Sequence, residues 1–114
     1  MKVGDVVLVR FPFTDVVAAK KRPALVLARL TRSTRYRLVV VARITSQVEA
    51  LKLEGDVLLS DSQGAGLLHA SLLRLAKLAT VDEDLVDKSI GHLAAADRRV
   101  AVAAFGRLFS AWLR

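Results

Sequence analysis

The sequence predicts a mainly β domain, a compact barrel or sandwich of short strands finished by one C-terminal helix. Apolar and β-branched runs of strand length recur between turn-forming stretches. The tail then changes to a spacing of four residues, the mark of a helix. A chain of 114 residues holds one core and is too short for two, so a single domain over residues 1–114 must carry everything.

The strands follow in order. Val6-Val7-Leu8-Val9 is β-branched, and Phe11-Pro12-Phe13 predicts that this strand bends or ends near Pro12. A loop from Thr14 to Lys21 precedes the second run, Ala24 to Ala28. The third, Leu38 to Ile44, contains Val39-Val40-Val41, which favours strand over helix. Val57-Leu58-Leu59 and Leu72 to Leu78 complete five strands, separated by the turn-forming segment from Ser60 to Gly66. In the tail, Val100, Ala104, Leu108 and Trp112 form one stripe that Ala101, Phe105 and Phe109 widen. Gly91 is expected to break the chain ahead of this helix. Asp97 favours its first turn, although Ala94 makes a poor N-cap. Gly106 inside the helix costs about 0.5–1 kcal/mol relative to Ala, which either the stripe or a close neighbour must offset.

Composition narrows the function. The chain has no cysteine, so disulfides, thiolate nucleophiles and zinc-thiolate sites are excluded, in keeping with a reducing compartment. No apolar run approaches the roughly 18 residues of a membrane span. Met1-Lys2-Val3-Gly4-Asp5 leads straight into a strand without the apolar core of an export signal, and a cytoplasmic protein is expected. Hydrophobic residues make up 54%, enough to expect some apolar surface buried against a second copy. The net charge of +7 is one-sided: residues 1–53 carry 11 Lys/Arg against 3 Asp/Glu, while residues 54–114 carry 7 against 8. Such a field draws polyanions by steering and counterion release, or serves only to keep a surface solvated.

The most informative residues are Gly4-Asp5-Val6-Val7-Leu8-Val9-Arg10-Phe11-Pro12-Phe13 and then Lys20-Lys21-Arg22-Pro23-Ala24-Leu25-Val26-Leu27. With Ile44-Thr45-Ser46-Gln47, Gly66-Leu67-Leu68-His69-Ala70-Ser71 and Ile90-Gly91-His92-Leu93, they closely resemble, in order, the PemK/MazF toxins. The resemblance implies an SH3-like small β-barrel with a C-terminal helix, and a homodimer restrained by an acidic antitoxin. It implies an endoribonuclease that cuts single-stranded RNA without metal or cofactor. A 2′-hydroxyl would attack its own 3′ phosphate, leaving a cyclic phosphate and a 5′-hydroxyl.

Arg22 matches the family's catalytic arginine, immediately before the proline that opens the second strand. Pro23 biases Arg22 towards an extended backbone, so its fork of donors projects from a fixed point at a phosphate whose charge grows in the transition state. A guanidinium stays protonated near neutrality and is a poor base, so electrostatic stabilisation is its natural role. Thr45 matches the catalytic threonine, holding the phosphate or orienting the 2′-hydroxyl; without the resemblance it is a strand-end threonine serving a nearby backbone group. His69 and Ser71 stand where some relatives have arginine and aspartate. An imidazole titrates near neutrality, which makes His69 a candidate proton-transfer group or, more plainly, a hydrogen-bonded structural histidine. His92 is expected to be structural.

Further RNA contacts are expected from Lys20 and Lys21 in the loop before Arg22, from Ser46 and Gln47, and from Ser71. Arg32, Arg35 and Tyr36 mix cations with a ring as single-strand binders do, or form a solvated connection between strands. Asp82-Glu83-Asp84 with Asp87 could hold magnesium, but such a cluster more commonly opens a short helix. The rival functions are a catalytically silent binding barrel and a gyrase inhibitor resembling CcdB, which would act through its last residues near Trp112.

Overall fold

Alternation along the strands builds two cores on one sheet. The computed structural model describes residues 1–11, 20–31 and 35–114. In it β1 (Asp5–Arg10), β2 (Lys21–Leu30), β3 (Leu38–Thr45), β4 (Asp56–Leu58), β5 (Leu72–Asp82) and β6 (Val86–His92) form one antiparallel sheet in the order β4-β5-β3-β2-β1-β6. Successive strand residues point to opposite faces. Val6, Leu25, Ala42, Ile44, Leu73 and Leu75 therefore join the core beneath helix α1 (Ala95–Leu108), while Val7, Val9, Phe11, Ala24, Val26, Val39 and Val41 build a second cluster on the other face. Register shifts in the β1–β6, β2–β3 and β3–β5 ladders bend the sheet. The barrel expected from the sequence is thus a strongly curled sheet that stays open: among the described residues no ladder joins β4 to β6.

Two turns tie the edges in. Gly4 adopts φ +93°, a conformation only glycine takes cheaply. Asp5, buried beside it, accepts hydrogen bonds from the Lys2 N–H at 2.9 Å and the Ser89 hydroxyl at 3.2 Å, joining the N-terminus to β6. Glu83–Leu85 form a single 3-10 turn, so the acidic cluster does open a short helix.

Several expectations are corrected. The sequence reading has five strands; the sixth, β6, occupies the segment where Gly91 was expected to break the chain, and Gly91 is instead a strand residue opposite Val6. Three consecutive exposed polar residues, Asp87-Lys88-Ser89, hide the strand, because β6 lies at a sheet edge and buries little. The helix stripe is also rotated. Asp97, Ala101 and Ala104 are the buried residues, with Leu108 packed beside them, whereas Val100 is 53% exposed and Trp112, beyond the helix end, 86%. Ala94 is the N-cap and provides no side-chain bond. A Cβ at Gly106 would meet nothing among the described residues, so no close approach explains that glycine. None of the described helices is long and apolar enough to cross a membrane.

Candidate functional site

The site begins where two neighbouring strands part. The β2–β3 ladder ends at Ala24 opposite Arg43. Beyond it Arg22 and Pro23 stay paired with Val9 and Leu8 of β1, while Ile44 and Thr45 stay paired with Leu73 and Leu72 of β5. The sheet splits into two lips. A groove of about 840 Å3 opens there, lined by Arg22 and Pro23 on one side, Thr45, Ser46 and Gln47 on the other, and His69 and Ser71 from the segment before β5.

Each of these side chains is placed by local structure. Pro23 holds φ at the β2 opening and lacks an N–H, so a strand there loses no donor by ending its pairing with β3. Thr45 is half-buried and its Oγ1 accepts the Gln47 N–H at 3.1 Å, which turns the chain out of β3. Ser71 is only 2% exposed; its hydroxyl donates to the His69 carbonyl at 2.8 Å and its N–H donates to Ser62 Oγ at 3.1 Å. Its visible work is to hold the turn that presents His69. That segment also approaches β6 closely through its backbone: Gly66, at φ +82°, lies against the Ile90 carbonyl, and Gly91 against the Ala65 carbonyl, with no room for a Cβ on either glycine.

The groove is cationic. Arg22, Arg43, Arg74, Lys77 and Lys88 line it, and among the described residues no carboxylate does. Arg74 is fixed by Asp56, with both Nε and a terminal nitrogen 3.2 Å from its carboxylate oxygens. Arg43 lies over the Phe11 ring, 5.2 Å from its centroid. Arg22, Lys77 and Lys88 make no ion pair among the described residues. Among the described residues, no three His, Asp or Glu side chains converge as metal ligands. The arrangement can hold a phosphate between a guanidinium and a hydroxyl, with an imidazole in the same groove.

Other candidates fall elsewhere. Lys20 and Lys21 are exposed outside the groove lining, and Lys21 Nζ sits 3.0 Å from Asp87, whose carboxyl that hydrogen bond holds below its ordinary pKa. Arg35 and Tyr36 do not line the groove, and Arg32 lies outside the described residues. His92 pairs with Asp5 in the β1–β6 ladder, outside the groove. Sequence reasoning missed Arg43, Arg74, Lys77 and Lys88. They are scattered over three strands, Arg43 in β3, Arg74 and Lys77 in β5 and Lys88 in β6, and only the folding of the sheet gathers them.

Fold and groove together define a small mainly β protein built around a cationic cleft. The chain belongs to the family of PemK-like, MazF-like toxins of type II toxin-antitoxin systems, whose sequence model matches residues 2–109. Comparison with curated proteins gives no match. Among solved structures the fold is similar to the Mycobacterium tuberculosis toxin MazF-mt6, with TM-score 0.68 and 24% identity over 93% of this chain and 96% of that one. It is similar to a chain of the MazE-MazF structure (Form-II) from Deinococcus radiodurans, with TM-score 0.69 and 18% identity over 96% and 94%. An endoribonuclease in complex with its cognate antitoxin from a Mycobacterial species gives TM-score 0.69 and 15% identity over 94% and 92%.

Proposed function

We propose that this toxin is a metal-independent endoribonuclease of single-stranded RNA. The observation that carries the reading is the meeting of Arg22, Thr45 and His69 in one cationic groove. Arg22 stabilises the charge that grows on the phosphate oxygens as the 2′-hydroxyl attacks, and Thr45 orients that hydroxyl or the phosphate. The 2′-oxygen forms its bond to phosphorus, the bond to the 5′-oxygen breaks, and the products are a 2′,3′-cyclic phosphate and a 5′-hydroxyl. His69 relays a proton between the attacking and leaving oxygens.

Partners follow from the same reading. Solved structures similar in fold include MazE-MazF and an endoribonuclease with its cognate antitoxin, and an acidic antitoxin segment would compete for this chain's groove through the charges that hold RNA. A homodimer is supported by exposed apolar side chains, among them Val3, Val102 and Phe105. The place of action is the cytoplasm, where messenger RNA is available.

The test is incubation of the purified protein with a defined single-stranded RNA in EDTA, followed by mapping of both new ends. A cyclic phosphate and a 5′-hydroxyl are expected, and Arg22→Ala and Thr45→Ala should abolish cutting while the fold remains. Normal cleavage by both variants would sink the assignment of the site. A His69→Ala protein that keeps the parental rate and pH profile removes His69 alone from the mechanism.

A further inference from the structure

The Arg22 lip of the groove carries an apolar floor that the chemistry above leaves unused. Leu8 is directly opposite Lys88 on one side and Pro23 on the other, so the three form one cross-strand row over β6, β1 and β2. Ile90 is the extra residue where β6 bulges between its pairs with Val6 and Val7, and it joins the same lining. Leu8, Pro23 and Ile90 are all half-buried, so part of each faces the groove. Leu68 lines the same groove and is 93% exposed.

An exposed leucine alone needs no explanation. Leu68 differs in its setting. It follows closely on Ala65 and Gly66, which are docked onto Ile90 and Gly91, and the groove it lines holds both an apolar floor and cations. Single-stranded RNA offers the matching sequence of surfaces, an apolar base face beside a charged phosphate. A floor of aliphatic side chains excludes water from one face of a base and leaves its edges to polar groups.

We infer that Leu8, Pro23, Ile90 and Leu68 form a subsite for one unpaired nucleobase next to the phosphate held by Arg22 and Thr45, with Lys88 taking the following phosphate. This deepens the nuclease reading and rests on it for the placing of the scissile phosphate.

The experiment measures binding, which separates the two ideas. A defined single-stranded RNA is made with a 2′-deoxy residue at the mapped cut, or unmodified if none occurs, and as a series with one abasic residue at each successive position. Affinities are measured by fluorescence anisotropy for the parent, Leu68→Ala and Leu68→Met. The parent should lose roughly tenfold in affinity at one abasic position. Leu68→Ala should bind the intact RNA about that much more weakly, lose nothing further at that position, and melt at the parental temperature. Leu68→Met, which keeps an apolar chain, should bind as the parent does. Equal affinities for Leu68→Ala and parent across the series would overturn the subsite while leaving cleavage standing. A parent that reads the base through Leu68 yet never cuts would keep the subsite and end the nuclease reading. A parent that binds no RNA overturns both.

Discussion

Asp97 grips Ser60 twice: its Oδ1 accepts the Ser60 N–H and the Ser60 hydroxyl, each at 2.8 Å, while Oδ2 takes the Asp61 N–H at 3.0 Å. The carboxylate is 3% exposed and sits in the first turn of α1. One buried charge thus anchors the segment that leads through Gly66 to His69. Burial pushes the Asp97 carboxyl up, but these three hydrogen bonds together hold it below its ordinary value of 3.8.

Asp97→Ala should therefore lower stability by about 2–3 kcal/mol, because it leaves buried donors without an acceptor. Thermal melting followed by circular dichroism would check this, with a fall of roughly 10 °C expected. The sign of the pH effect follows from the lowered carboxyl. Its stabilisation is complete above the unfolded value near 3.8 and is lost as the pH falls through the folded one. Asp97→Asn should accordingly show a flatter loss of stability in that acid range than the parent.

Arg22 is exposed at the lip of the groove and makes no ion pair among the described residues. Arg22→Ala should cost about a hundredfold or more in the cleavage rate, with melting unchanged. Arg22→Lys keeps the charge and loses the planar fork, so it should recover only part of that rate. Single-turnover kinetics on one RNA would rank the three proteins.

Gly66 and Gly91 each face a backbone carbonyl of the other's segment so closely that a Cβ cannot fit. Gly66→Ala carries the added strain of a positive φ. Either substitution should destabilise by more than about 2 kcal/mol and lower cleavage together with stability. Urea denaturation would measure the first effect; parental stability in both variants would contradict the packing described.

Lys77 and Lys88 line opposite sides of the groove from β5 and β6. If each holds one RNA phosphate, Lys77→Ala and Lys88→Ala should each reduce the slope of log affinity against log salt by about 0.7. The loss should be similar for RNAs of different sequence, since a phosphate contact carries no base information. A salt titration of RNA binding would show it.

Much of this was legible in order along the chain. Continuous apolar and β-branched runs marked β1, β2, β3 and most of β5, because much of each of those strands is buried. Arg22 and Thr45 were singled out by the resemblance to the PemK/MazF toxins; Pro23 and the end of a β-branched run place them at strand ends. The edge strand β6 left no such trace, since Asp87, Lys88 and Ser89 are exposed and bury nothing. The helix misled for a related reason. Its apolar residues spread around the axis, and the face that packs is chosen by Asp97, whose bonds to Ser60 and Asp61 turn Ala101 and Ala104 inward and leave Val100 and Val102 in solvent.

The charge distribution shows the same division. Counting placed the excess of positive charge in residues 1–53, yet Arg74, Lys77 and Lys88 of the groove come from the other half. By itself the sequence determined five of the six strands, which end is helical, and which arginine and threonine stand at strand ends, because these depend on neighbours a few residues away. Only the tertiary structure decided that β2 and β3 part after Ala24 and Arg43, and so that Arg22, Thr45, His69 and Lys88 share one groove. Pairing between segments far apart in the chain sets that geometry, and no local pattern encodes it.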